Sequence, residues 1–145
     1  QFTSSIPIAG STFTERISQA LGVTPQKAES IKREVGLTST PEYPNIKAAL
    51  QPVLVSLSEE IKNIIKFHYD HSQEKITNVL LCGGNASTKN LPEALTEALN
   101  DIAGVPVVVS NPWVNLPEIQ DPPLSYEQSL NFTAAIGLAI RTLEE

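Results

Sequence analysis

The spacing of apolar residues predicts two short helices early in the chain. In the first, which begins at Thr12, apolar side chains recur three and four residues apart: Phe13, Ile17, Ala20 and Leu21. Gly22 can end this helix in the left-handed conformation. In the second helix, Thr24 is the predicted N-cap, Pro25 occupies the first helical position and Gly36 follows the end.

A strand is predicted before these helices and a much longer helix after them. Residues 2–8 alternate and include β-branched side chains, which is typical of a strand. Residues 37–44, rich in Ser, Thr and Pro, form a predicted loop. From Ile46 to His68 an apolar stripe at helical spacing predicts a long helix. We expect it to be bent or interrupted near Pro52, because proline lacks a backbone N–H and crowds the preceding turn.

The middle of the chain has the order strand, glycine turn, helix, strand. Residues 76–81 form a predicted buried strand that runs into Cys82 and the sequence Gly83-Gly84-Asn85. The helix that follows is predicted to place its apolar residues inward: Ala94, Leu95, Ala98, Leu99 and Ile102. Gly104 ends that helix, and residues 105–109 form the second strand. This order favours parallel pairing of the two strands with a right-handed crossover.

The C-terminal part of the sequence predicts an irregular segment and one last helix. Residues 111–123 contain four prolines, and Trp113 is either the core anchor of this segment or a partner-binding aromatic residue. Ser125 and Gln128 have the spacing of a capping box. The helix that they begin carries small and apolar residues predicted to pack closely on a sheet: Ala134, Ala135, Gly137, Leu138 and Ala139.

Composition narrows the classes of partner. The 145 residues include 16 acidic and 10 basic side chains, a net charge of -6, so no basic surface is expected to bind nucleic acid or anionic lipid. A single cysteine excludes an internal disulfide, and no apolar run approaches the roughly 20 residues of a membrane-spanning helix. The sequence starts at Gln1 and contains no methionine, so we expect a processed chain or a fragment.

The Gly83-Gly84 turn is the first candidate site. Two glycines at the end of a strand let a ligand approach the backbone without a Cβ in the way, and a helix N-terminus just beyond would add amide donors. The alternative is a plain strand-to-helix turn. The turn matches neither GxGxxG nor GxxxxGK[ST], which disfavours the standard dinucleotide and P-loop sites.

Charged and metal-binding side chains supply the other candidates. Glu29, Lys32 and Arg33 lie three and four residues apart on one face of the second helix, either as a site or as an ordinary solvated ion-pair face. His68 and His71 lack further ligands and are expected to finish an amphipathic helix, so no metal site is predicted. For Cys82 a role as a small core residue is preferred to that of a nucleophile, since no base is identifiable. No catalytic residue is predicted.

Four motifs in order resemble the second half of the PilM family of type IV pilus assembly proteins, which are actin-like and related to FtsA. The motifs are IPIAGSTFTE at 6–15, AESIK at 28–32, VLLCGGNA at 79–86 and AIGLAIR at 135–141. The resemblance covers nearly the whole chain. It implies an α/β fold, a portion of the actin/Hsp70-like ATPase fold in which helices pack a mixed sheet. Residues 1–10 and 46–145 would form a large subdomain and residues 11–45 a small helical subdomain inserted in it.

The resemblance also implies where a nucleotide would bind. Gly83, Gly84 and Asn85 match the family's adenosine motif, and Glu29 and Lys32 match the Glu-x-x-Lys pair that brackets the nucleoside from the other side. This sequence departs from the family's fuller adenosine motif at two places. It has Asn85 where a further glycine often follows the glycine pair, and Lys89-Asn90 where Pro-Gly often follows.

The phosphate-binding part of such a site is missing from the sequence. The fold's phosphate hairpins contain Asp-x-Gly turns, whereas no glycine stands two residues after Asp70, Asp101 or Asp121. Metal-assisted phosphoryl transfer needs groups that place the metal and the phosphates. The resemblance therefore implies ATP with Mg²⁺ in the full-length protein, no bound cofactor in this chain and no ATP hydrolysis by it.

The implied role is that of a cytoplasmic scaffold in pilus assembly. The full-length protein would lie at the inner membrane through partners, among them the cytoplasmic tail of PilN, whose groove lies in the first half of the family's proteins. Alternatives are an FtsA-like division protein, or a fragment of another ATPase of this superfold such as a sugar kinase or an Hsp70-like chaperone.

Overall fold

The computed structural model describes residues 10–102, 104–114, 116 and 121–141. Within these residues the chain forms helices and two strands in the order α1 (Gly10–Leu21), α2 (Pro25–Glu34), α3 (Ile46–Ser72), β1 (Val79–Leu81), α4 (Leu91–Ala98), β2 (Val107–Val109), α5 (Tyr126–Leu130) and α6 (Thr133–Arg141). The strand predicted at residues 2–8 lies outside the described residues.

Helices α1 and α2 confirm the prediction from local sequence. The Thr24 side chain accepts a hydrogen bond of 3.3 Å from the backbone N–H of Lys27, and Pro25 needs no partner because it has no N–H to satisfy. Gly22 and Gly36, one after each helix, have φ angles of +63° and +61°, which glycine adopts without strain. Helix α2 thus begins and ends where its own residues satisfy the backbone, while α1 begins at Gly10, slightly before the predicted start at Thr12.

Helix α3 is the longest element and spans 27 residues. Pro52 lies inside it, and the helix continues to Ser72, so the interruption considered at that proline is absent. Its buried residues follow the predicted stripe: Ile46, Leu50, Val53, Leu54, Ser58, Ile61 and Ile65. Gln73 ends the helix in the left-handed conformation and donates from its N–H to Tyr69 O at 2.9 Å.

Strands β1 and β2 pair in parallel, as predicted, although each is shorter than its apolar run. Val79 pairs with Val107, Leu80 with Val108 and Leu81 with Val109. Successive side chains of a strand point to opposite faces. One face, with Val107 buried, packs on the core, while Leu80 and Val108 on the other face are exposed.

Helix α4 connects the two strands and is shorter than expected. The Thr96 hydroxyl accepts a hydrogen bond of 3.0 Å from Val107 N, which holds the helix against β2. Because α4 ends at Ala98, Ile102 lies beyond the inward-facing stripe and is 40% exposed. The prediction that Ile102 packs inward was therefore wrong.

The C-terminal helix is divided in two. Ser125 and Gln128 form the predicted capping box, which begins α5. A turn at Asn131 and Phe132 separates α5 from α6. The prediction that α6 packs closely on a sheet was wrong, since none of its residues is buried and Leu138 is 66% exposed. Small residues allow close packing but do not supply the surface to pack against.

One hydrophobic core joins helices α1 to α4 to the sheet. It contains residues of α1 and α2 together with residues of α3, α4 and β2, namely Phe13, Ile17, Ala28, Ile31, Ile46, Leu50, Val53, Leu54, Ile61, Ile65, Leu91, Leu95 and Val107, with Leu37 and Leu99 from the connections. This core fixes the helical pair α1–α2 next to the β1–α4–β2 unit, and the candidate site lies where they meet.

Candidate functional site

A cleft of about 900 Å³ opens between the helical pair and the loop after β1. Its walls come from α1, α2, residues 84–89 and α5. Its volume is in the range of small-molecule sites. Four of the five predicted site residues line it: Glu29, Lys32, Gly84 and Asn85. Gly83, the fifth, does not line the cleft but shapes the turn that brings Gly84 there.

Lys32 is buried and its ammonium group is fully engaged inside the protein. Its Nζ lies 2.6 Å from Glu29 Oε2, 3.1 Å from Thr14 Oγ1 and 3.3 Å from Gly10 O. A lysine ammonium has three N–H donors, so these three acceptors use them all. The geometry makes Lys32 a residue that ties α2 to α1 and fixes Glu29. A direct contact from Lys32 to a ligand would require one of these bonds to break.

Glu29 is held as a carboxylate that faces the cleft. Burial raises the pKa of Glu29, but the hydrogen bonds from Lys32, Thr14 and Arg33 outweigh burial and lower the pKa from 4.5 to about 2. The Thr14 hydroxyl donates to Oε2 at 2.6 Å, and Arg33 Nε donates to Oε1 at 3.1 Å. Since the side chain is 36% exposed, its oxygens remain able to accept a hydrogen bond from a ligand.

The glycine turn is held from behind by α5. Gly83 has a φ angle of +88°, and its N–H donates to Leu130 O at 3.1 Å. Within the turn, Ala86 N donates to Gly83 O at 3.0 Å. Helix α4 begins at Leu91, after Asn90 as predicted, so its N-terminus lies several residues beyond the glycines. Consecutive turns over residues 83–90 lead up to it.

Two asparagine side chains lie against glycines of the cleft. A Cβ on Gly84 would overlap Asn131 Oδ1, and a Cβ on Gly10 would overlap the Asn85 amide. Asn131 lines the cleft, although the sequence analysis did not identify it as a candidate. Its position depends on the turn between α5 and α6, for which the sequence holds no recognisable signal.

Arg33 also lines the cleft, whereas the cysteine, the two histidines and the tryptophan considered in the sequence analysis lie outside it. Cys82 is exposed, so its expected role as a core residue was wrong. His71 lies in the last turn of α3, with its ring stacked on Phe67 at a centroid distance of 3.9 Å. Across the described ranges, no group of three or more metal-ligating side chains comes together. Trp113 is half-buried.

None of the helices in the described ranges is both long enough and apolar enough to cross a membrane.

The arrangement defines a class of protein. A helical pair and a strand–helix–strand unit that share one core, with a cleft between the pair and a glycine turn, constitute a portion of an actin-like fold. A family model described as type IV pilus assembly protein PilM matches residues 2–143, and the chain belongs to that family.

A solved structure supports the same assignment. The chain is similar to a chain in a structure titled "PilM-PilN type IV pilus biogenesis complex", with a TM-score of 0.72 and 28% sequence identity. The match covers 97% of this chain, which spans 38% of the length of that one. No curated protein matches the sequence. The family match favours the PilM interpretation over the FtsA-like and enzyme alternatives.

Proposed function

We propose that the cleft is the nucleoside-facing wall of an ATP site in a PilM-like scaffold of type IV pilus assembly. The observation that carries the proposal is that Glu29 and Gly84, far apart in the sequence, line one cleft. They belong to the two motifs that the family resemblance assigns to opposite sides of the nucleoside.

The chemistry of the cleft suits a nucleoside. The Glu29 carboxylate is an acceptor for the hydroxyl groups of a ribose. The Asn131 carboxamide occupies the space that a side chain on Gly84 would take, so a ring that approaches the glycine turn meets this carboxamide. The Asn85 and Asn131 carboxamides offer both donors and acceptors to the edge of a base.

Phosphates and magnesium fit this chain less well. The sequence contains no Asp-x-Gly turn, and the buried ammonium of Lys32 is already engaged by three acceptors. We therefore assign to this chain the binding and orientation of the nucleoside. The groups that hold Mg²⁺ and the phosphates belong, in this proposal, to the rest of the full-length protein.

Adenosine at millimolar concentration is expected to shift the backbone amide NMR signals of Gly84, Asn85 and Glu29. One wall of a site gives weak affinity, with a dissociation constant on the order of 1 mM or about 4 kcal/mol of binding free energy. At that concentration the gain in stability is only about 0.4 kcal/mol, so a thermal shift is small and NMR is the suitable measurement.

A pair of glycine variants controls this experiment. Gly84→Val displaces the Asn131 carboxamide, whose Oδ1 lies where the new Cβ would be, and adds a branched side chain to the cleft. Adenosine binding is therefore expected to weaken about tenfold, or by more than about 1 kcal/mol. Gly137→Val adds the same atoms on α6, where a Cβ meets nothing within 4 Å. Equal adenosine binding by both variants would show that the cleft is not the nucleoside site.

For the scaffold role we propose PilN as the partner of the full-length protein. The similar solved structure is a complex of PilM with PilN. In the proposal, the protein is cytoplasmic and lies at the inner membrane through PilN and other pilus assembly proteins, with no segment of its own inserted. The groove for the PilN tail belongs to the first half of the family's proteins rather than to this part.

A peptide with the sequence of the PilN cytoplasmic tail is accordingly expected not to bind the 145-residue chain. Isothermal titration calorimetry measures this directly, with the full-length protein as the positive control. If the 145-residue chain binds the peptide as tightly as the full-length protein, the PilN groove lies on this part and the placement is wrong.

A further inference from the structure

Two segments meet at one end of the cleft and are joined by hydrogen bonds from both backbone and side chains. The first is residues 34–38, the end of α2 and the start of the loop after it; the second is Lys89-Asn90, just before α4. Lys89 Nζ donates to Glu34 O at 2.6 Å, and the N–H of Leu37 donates to Lys89 O at 3.0 Å. We call this contact the clasp.

A third bond and a close approach complete the clasp. Asn90 Nδ2 donates to Thr38 Oγ1 at 2.8 Å. Gly36 lies directly against Lys89, because a Cβ on Gly36 would overlap Lys89 O and lie 2.8 Å from Lys89 N. The neighbouring atoms are backbone, which cannot rotate away as the end of a side chain can. Only glycine fits there.

The position of the clasp relates it to the cleft. Lys89 lines the cleft, and the clasp holds the C-terminal end of the helix that carries Glu29. Towards the other end, the Asn85 side chain lies against Gly10 of α1. The helical pair is thus held to the 83–90 loop on both sides of the cleft, but the clasp is the side with hydrogen bonds.

We propose that Lys89 and Asn90 are positioning residues, which through the clasp set the distance between α2 and the glycine turn and so the width of the cleft. The proposal rests on the proposed function in one respect, that the cleft width determines nucleoside affinity. The clasp itself is defined by contacts that exist whether or not a nucleoside binds.

A matched pair of glycine variants tests the clasp. Gly36→Ala adds a methyl group that wedges against Lys89, whereas Gly22→Ala adds the same group at an equal left-handed φ angle with nothing within 4 Å. Both variants carry the same backbone penalty for a side chain at a positive φ angle. A difference between them is therefore due to the contact of the added methyl group with Lys89. Nitroxide labels are attached at Gln26→Cys on α2 and Glu97→Cys on α4, in a Cys82→Ser background. Pulsed electron paramagnetic resonance then measures the distance between the two labels, and so between α2 and the strand–helix–strand unit that carries the glycine turn.

Gly36→Ala is expected to lengthen the label distance by more than about 1 Å and broaden its distribution, and to weaken adenosine binding about tenfold. Gly22→Ala is expected to match the parent protein in both measurements. Lys89→Met, a milder change, is expected to broaden the distribution, and Lys89→Arg to restore it because a guanidinium can also donate to Glu34 O.

The outcomes separate the two proposals. Unchanged label distances in both Gly36→Ala and Lys89→Met would overturn the clasp as a positioning device. If Gly36→Ala does not fold, Lys89→Met with its Lys89→Arg rescue decides alone. If the parent protein does not bind adenosine, the proposed function fails while the label distances still decide the clasp.

Discussion

Replacing Lys32 with methionine is expected to lower the free energy of unfolding by about 2–3 kcal/mol at pH 7, less than for a fully buried ion pair because Glu29 is partly exposed. Methionine fills nearly the same space but donates no hydrogen bond, so Glu29, Thr14 and Gly10 each lose a donor. Chemical denaturation followed by circular dichroism measures the change.

The same variant is expected to alter the dependence of stability on pH. Glu29 has a pKa of about 2 in the folded protein against 4.5 as its ordinary value, so it binds its proton more readily in the unfolded chain. Its contribution is therefore complete above pH 4.5 and is lost as the pH falls towards 2. After allowance for solvent screening it amounts to about 1–2 kcal/mol.

Without the Lys32 ammonium, the pKa of Glu29 rises and this acid-sensitive contribution shrinks. The difference in stability between Lys32→Met and the parent protein should then narrow as the pH is lowered. Lys27→Met is the matched control, because Lys27 is an exposed lysine on the same helix. A Lys32→Met protein as stable as the Lys27→Met control at neutral pH would refute the assigned role of Lys32.

Truncation of Leu95 to alanine is expected to lower the free energy of unfolding by about 3 kcal/mol, through lost burial and the cavity left behind. Leu95 is completely buried in the core shared by α1–α4 and β2. Leu80→Ala makes the same chemical change at a residue that is 58% exposed, and its effect should stay within about 0.5 kcal/mol.

The Leu95 variant also tests whether the helical pair and the sheet unfold together. Because α1 and α2 share their core with α4 and β2, we expect a single unfolding transition. The decrease in the free energy of unfolding should then be equal for probes in both regions. Hydrogen exchange of the backbone amides in α2 and α4 provides such probes. If Leu95→Ala destabilises α4 while α2 keeps its parental protection, the two regions are separate cooperative units.

The element boundaries that could be predicted from the sequence depend on local chemistry. Thr24 and Pro25 begin α2 because they settle the unpaired donors of its first turn, and Ser125 begins α5 for the same reason. Gly36 follows the end of α2 because glycine adopts the required positive φ angle without strain. None of these needs a distant partner, so a few neighbouring residues were sufficient.

Burial was predicted less well, because it depends on what lies opposite. Cys82 follows an apolar strand and yet is exposed, and α6 has an apolar composition with no buried residue in the described structure. An apolar pattern states which side chains gain from leaving water. The pattern does not supply the neighbouring surface against which those side chains would be buried.

For the site, the sequence by itself determined the two motifs and their chemical character: a glycine turn open to a ligand, and acidic and basic side chains on one helix face. Tertiary structure alone decided that they share a cleft, that Lys32 is occupied internally, and that Asn131 and Lys89 belong there. The reason is physical. Helix caps and turns are fixed by neighbours in the chain, whereas hydrogen-bond partners such as Lys32 with Gly10 or Lys89 with Glu34 are fixed only when the core brings distant segments together.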